Sequence, residues 1–134
     1  MKVKGKNLET LKRKTDFELV YSKGKSLKLK SGFVRASYVF IVEGENRVMK
    51  VATAIASSLG NSVWRNRFKR LIRESVRLEI KTISEILNKN KTNLLIVFSP
   101  HKISQKNKKK LFLNEIQSDV GIILKYITSE KSHG

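Results

Sequence analysis

Along the chain the spacing of apolar and polar positions changes several times, and each change marks an element. In "TDFELVYSKG", Phe17, Val20 and Tyr21 recur at helical spacing. Thr15 and Glu18 stand three apart, where each side chain can satisfy the other's free backbone N–H, and Gly24 offers a left-handed stop. A short first helix is predicted there. "SGFVRASYVFIVEG" and "RVMKVATAI" are rich in β-branched and aromatic residues, and "EGEN" between them has turn chemistry, which predicts an antiparallel hairpin. Upstream, "SLKLK" alternates Leu27 and Leu29 with lysines and suits an edge strand as well as a solvated loop.

From residue 61 the period becomes helical again. Laid out at roughly 100° per residue, Trp64, Phe68, Leu71, Ile72, Ser75 and Leu78 share one arc, while Arg65, Lys69, Arg70, Arg73 and Arg77 occupy the other. With Asn61 or Ser62 as N-cap, this helix runs to about Leu87 before "NKNKTN" ends it. "NLLIVFSP" is a short continuous apolar run closed by the only proline, the mark of a central strand buried on both faces. After "QKNKKK", the series Leu113, Ile116, Val120, Ile123, Leu124 and Ile127 makes a last amphipathic helix, and "EKSHG" reads as a loose tail. The predicted order is α-β-β-β-α-β-α. This is an α+β sandwich with helices covering a mixed four-stranded sheet, in one domain over residues 1–134 with 1–7 and 129–134 flexible.

Charge changes this picture from a fold to a binding protein. Against 29 Lys+Arg stand 11 Asp+Glu, a net charge of +18, which strains a compact domain unless a polyanion neutralises it. Nucleic acid is the polyanion such a balance indicates. The longest apolar run, Leu94 to Phe98, is far too short to span a bilayer, and "MKVKGKNLETLK" has no apolar core of a secretory signal. Without cysteine there is neither a disulfide framework nor a thiolate metal site. A cytoplasmic protein with no membrane partner is expected.

The chain itself carries little that looks catalytic. Its two aspartates, Asp16 and Asp119, fall on different elements, Glu74 and Glu79 are five apart on the long helix, and His101 and His133 lie in the connector and the tail. A metal-dependent nuclease needs clustered carboxylates. Gly60 lacks the further glycines and lysine of a phosphate-binding loop. No catalytic residue and no metal ligand set is predicted.

The front of the long helix carries the strongest signal. Helix N-termini have partial positive charge, so each cation there costs roughly 0.3 to 1 kcal/mol, yet Arg65 and Arg67 flank Asn66 in the first turns, with Lys69, Arg70 and Arg73 following. Free backbone N–H groups at that end attract anions, and guanidinium forks beside them make a phosphate site at the expense of helix stability. The arrangement predicts binding of RNA or DNA. "WRNRFKR" shares a tryptophan, an asparagine and arginines with homeodomain recognition helices, but that domain is all-helical and the strand-like runs on both sides count against it.

"LGNSVWRNRFKRLIRE" resembles the signature of the bacterial ribonuclease P protein family: a glycine, a short spacer, Arg-Asn-Arg, an apolar residue, Lys-Arg, two apolar residues and Arg. Here these are Gly60, Arg65, Asn66, Arg67, Phe68, Lys69, Arg70, Leu71, Ile72 and Arg73. "LKRKTDFELVYSKGKSLKLKSG", with Asp16, Phe17 and Gly24, is similar to the family's opening, so the resemblance spans roughly residues 8–100. It implies the fold above with a left-handed crossover through the basic helix. It also implies a subunit of an endoribonuclease whose catalytic RNA, with magnesium held mainly by that RNA, removes the 5′ leader of precursor tRNA. By this resemblance Arg65, Asn66, Arg67, Lys69, Arg70 and Arg73 face the catalytic RNA, and Phe17 and Tyr21 line a cleft for the single-stranded leader. Standing at i and i+4, Phe17 and Tyr21 can both face the sheet, where Phe33 or Tyr38 can join them. Ser57 and Ser58 stand where the family usually has lysines, and Trp64 where a smaller apolar residue is common. A ribosomal or general RNA-chaperone protein would share the basic composition; the ordered Arg-Asn-Arg signature separates the two readings.

Overall fold

The computed structural model describes residues 7–133; of the termini expected to be flexible, residues 1–6 and Gly134 lie outside the described residues. The elements are β1 (Leu8–Thr10), α1 (Lys14–Lys23), β2 (Lys25–Lys28), β3 (Val34–Ile41), β4 (Met49–Thr53), a 3-10 turn (Ser57–Leu59), α2 (Ser62–Asn90), β5 (Asn93–Pro100) and α3 (Leu113–His133). They form a five-stranded mixed sheet in the order β1-β4-β5-β3-β2, with β1, β4 and β5 parallel and β3 antiparallel to both β5 and β2. The α+β class and the sandwich of helices on a mixed sheet are as the periodicity predicts. The strand count is five rather than four, because β1 is three residues long and shows no period of its own.

The predicted hairpin does not form. β5 lies between β3 and β4, pairing Ile96 with Tyr38 on one side and with Val51 on the other. Its run Leu94–Phe98 is apolar towards both faces, so the centre of the sheet is the one place where all of it is buried. Asn93 at its start holds the two flanking strands: its Oδ1 accepts from the Val48 N–H (3.1 Å) and its Nδ2 donates to the Glu43 carbonyl (2.7 Å). The "SLKLK" segment does contribute an edge strand, β2.

Two local expectations for α1 are corrected. Thr15 cannot cap, because the helix already begins at Lys14 with Arg13 as N-cap and without a side-chain cap bond; Arg13 instead forks onto Asp16, Nε to Oδ2 and Nη2 to Oδ1 at 3.1 Å each. Gly24 is extended (φ −82°), not left-handed. It is glycine because a Cβ there would sit 2.2 Å from the Val20 carbonyl oxygen and 2.5 Å from that of Tyr38. The chain passes directly from helix to edge strand across β3.

In α2 the Asn61 side chain accepts from the Trp64 N–H at 2.9 Å, and left-handed Lys91 closes the helix. Its buried arc begins as predicted and then drifts through Val76 to Ile83 and Leu87, which join α3 residues such as Ile116, Val120, Ile123 and Ile127 in one core. Leu78, at the trailing edge of that arc, is left 62% exposed. Helix α3 continues through His133, past the point where the sequence suggests a loose tail.

The two faces of the sheet differ. Val34, Ala36, Tyr38, Met49, Val51, Leu94, Ile96 and Phe98 turn to the face closed by α2 and α3. On the other, Leu11, Val20, Ala52, Leu95 and Val97 form a small cluster with Phe17 and Val39. Among the described residues no helix is long and apolar enough to cross a membrane.

Candidate nucleic-acid interface

The front of α2 is built around Trp64. Its ring is 4% exposed and stacks on Phe68 at 6.4 Å between centroids. A Cβ on Gly60 would lie 2.8 Å from that ring, which is why the loop before the helix needs glycine. The Arg65 Nε–H donates to the Gly60 carbonyl (3.1 Å) and the Arg67 Nε–H to the Leu111 carbonyl (2.9 Å). Each arginine is thus anchored through Nε while its terminal Nη groups engage no protein partner among the described residues. Arg13, Lys14, Lys25, Lys50 and Lys108 each meet a carboxylate, whereas Arg65, Arg67, Lys69, Arg70 and Arg73 form no ion pair among the described residues.

Asn66, Lys69, Arg70 and Arg73 turn towards α1. With Phe17, Thr10, Leu11, Ala52 and Thr53 they line a cleft of roughly 540 Å³ between the two helices and the sheet edge. The Arg73 Nε is buried without a hydrogen-bond partner among the described residues. The cleft therefore has a cationic wall, an aromatic edge and threonine side chains on its floor. A second hollow, roughly 720 Å³, opens beyond the C-terminal half of α1 over the uncovered sheet face; it is lined by Tyr21, Ser26, Arg35, Ser37, Ala54 and Ser99 among others. Tyr21 is 57% exposed. Phe17 and Tyr21 thus line neighbouring hollows.

Phe33 and Tyr38 do not join them. The period of two along β3 sends Tyr38 to the closed face, where it is 3% exposed and its hydroxyl donates to Glu130 Oε1 (3.4 Å). Phe33 packs against the same core, with the Lys108 ammonium 4.6 Å from its ring centre. Alternation points instead to Arg35 and Ser37 as the β3 residues of the open face, a signal present in the sequence once Tyr38 is placed inside. Ser57 and Ser58 lie exposed and uncharged in the 3-10 turn before α2.

The electrostatics of the open face register on His101. Its imidazole is held below the ordinary value, first by burial and then by the positive charges of Lys102, Lys28 and Arg35. Both aspartates are engaged structurally: Asp16 with Arg13 and Lys50, and Asp119 as acceptor from the Phe33 N–H at 2.6 Å, with burial raising its pKa. Among the described residues no three of His, Cys, Asp and Glu come together as metal ligands would.

The profile of the family described as Ribonuclease P matches residues 6–123. Over 80 residues the chain is 36% identical to the ribonuclease P protein component of Alkaliphilus metalliredigens, covering 58% of this chain and 68% of that one. The protein of the same name from Clostridium novyi is likewise 36% identical over 80 residues, 60% of this chain and 68% of its own. Among solved structures, an RNase P protein of Staphylococcus aureus superposes with a TM-score of 0.62 at 21% identity, covering 92% of this chain and 96% of its own. That of Thermotoga maritima gives 0.61 at 21%, covering 88% and 96%. These two likenesses concern the fold.

Proposed function

The chain belongs to the ribonuclease P protein family, and from that premise we propose that it binds the catalytic RNA of ribonuclease P and holds the 5′ leader of precursor tRNA. The RNA, with magnesium that it holds itself, then removes the leader to leave the mature tRNA 5′ end. The observation that carries this reading is the cleft in which the unpaired cations of α2 meet Phe17 of α1. Arg65 and Arg67, fixed through Nε, offer their Nη groups to phosphates, and Asn66, Lys69, Arg70 and Arg73 extend that surface inward. Phe17 and Tyr21 supply flat faces for unpaired bases, each stacked base being worth on the order of 1 to 3 kcal/mol. The protein positions and neutralises; it has no part in bond cleavage beyond that.

Reconstitution tests the proposal. Purified chain added to a bacterial ribonuclease P RNA at limiting magnesium is expected to restore specific cleavage at the leader junction, and the chain alone is expected to cut nothing. Equal stimulation by an unrelated basic protein of similar charge would reduce the activity to that of a general RNA chaperone.

A further inference from the structure

The connector between β5 and α3 is fastened to the front of α2 at several points. The Gln105 N–H donates to the Leu59 carbonyl (2.7 Å) and its Oε1 accepts from the Asn61 N–H (2.8 Å). The Trp64 Nε1–H donates to the Lys108 carbonyl (2.9 Å), and the Arg67 Nε–H to that of Leu111 (2.9 Å). Trp64 and Arg67 are three residues apart, a rise of about 4.5 Å on the helix, and the carbonyls they hold are also three apart. The segment therefore runs beside the first turn of α2, with Lys109 and Lys110 between the two anchors.

Charge along this segment is sorted. Lys108 turns inward, its ammonium 3.0 Å from Glu115 and over the rings of Phe33 and Phe112. Lys102, Lys106, Lys109 and Lys110 are exposed and enter no ion pair among the described residues, and no acidic residue lies between Glu85 and Glu115. A segment that only joined a strand to a helix would gain from neutral residues here, because each lysine held beside Arg67 adds repulsion.

We propose that the connector is a second phosphate-binding segment for the same catalytic RNA, in which Lys109 and Lys110 extend the surface of Arg65 and Arg67 and Trp64 acts as the positioning residue. The proposal rests on the reading of the chain as an RNA-binding subunit. Binding of a bacterial ribonuclease P RNA by the full chain, followed as the slope of log affinity against log salt, tests it. K109Q/K110Q is expected to lower that slope by roughly 1.4 to 1.8 units, at roughly 0.7 to 0.9 per phosphate contact. K81Q/K89Q, an equal change of charge on exposed positions of the far half of α2, is expected to leave it unaltered. In W64F, which lacks the indole N–H, the 109/110 change is expected to have a smaller effect.

An unchanged slope in K109Q/K110Q, an equal loss from the two lysine pairs, or an undiminished effect in folded W64F overturns the proposal. Failure of the underlying reading has another appearance, and takes the proposal with it: the parent chain would bind the ribonuclease P RNA no more tightly than an unrelated structured RNA of equal length.

Discussion

The two faces of the sheet are made by the same strands and serve opposite ends. Along β5, Leu94, Ile96 and Phe98 enter the core shared with α2 and α3, while Leu95, Val97 and Ser99 face the side that only the ten-residue α1 partly covers. Along β3, Tyr38 is buried on the first side and Arg35 and Ser37 line a hollow on the second. The closed face joins six elements, β1, β3, β4, β5, α2 and α3, in one apolar cluster; the open face keeps a small cluster and two hollows, one walled by Lys69, Arg70 and Arg73 and the other bordered by Arg35. A fold secured from one side leaves the other free to gather charge that would be unfavourable in a core. It follows that substitutions on the two faces should separate stability from binding.

The largest separation is expected at Phe98 and Ser99, adjacent residues on opposite faces. Phe98→Ala removes a fully buried ring and is expected to lower unfolding free energy by about 3 to 5 kcal/mol. Ser99→Ala is expected to stay within about 0.5 kcal/mol. Urea denaturation of both variants measures this, and similar losses would erase the distinction between the faces.

Phe17→Ala sharpens the contrast from the other side. Phe17 is half-buried beside the small cluster, so the fold should survive its loss, whereas the preference for precursor over mature tRNA is expected to fall by about 1 to 3 kcal/mol. Competition binding with the two tRNAs on a chain verified as folded gives the answer; an intact preference removes Phe17 from the leader site. Smaller still is the expected effect of Arg70→Gln, a drop of about one unit in the salt slope for binding the catalytic RNA, with little change in unfolding free energy. A steep loss of stability with an unchanged slope would make Arg70 a structural residue.

What the sequence made legible, and what it did not, follows from the range of the interactions. The cap, the span of α2 and the buried run of β5 rest on periodicity within one segment, and α3 is clear for the same reason. Sheet order was not legible: β3 and β4 adjoin in sequence, but the double-sided apolarity of β5 and the bridging side chain of Asn93 separate them. Thr15 is not the cap because the helix starts two residues earlier than a cap there implies, which no periodicity fixes. In the site, the cations of α2 were readable because their position opposes the helix dipole. That Phe17 meets Arg70 across a cleft, that Phe33 and Tyr38 are interior, and that Trp64 clasps a connector 44 residues away all depend on register and packing.

The smallest expected effect belongs to His101, whose imidazole senses the field of the open face. Burial and the cations Lys102, Lys28 and Arg35 hold it below the ordinary value of about 6.5. Between its folded value and that ordinary value the unfolded chain binds more protons at this site than the folded one, so stability rises with pH through the window and is lost as pH falls through it. Arg35→Gln removes one of the cations and should raise the imidazole pKa modestly. A polyanion on the open face should raise it further, because negative charge favours the imidazolium. Proton NMR titration reads both, with His101→Gln separating its signal from that of His133, the other histidine. The polyanion should also flatten the pH dependence of the melting midpoint in that window. A pKa indifferent to Arg35→Gln and to RNA would leave burial, Lys102 and Lys28 as its causes, and would place bound phosphates away from the end of β5.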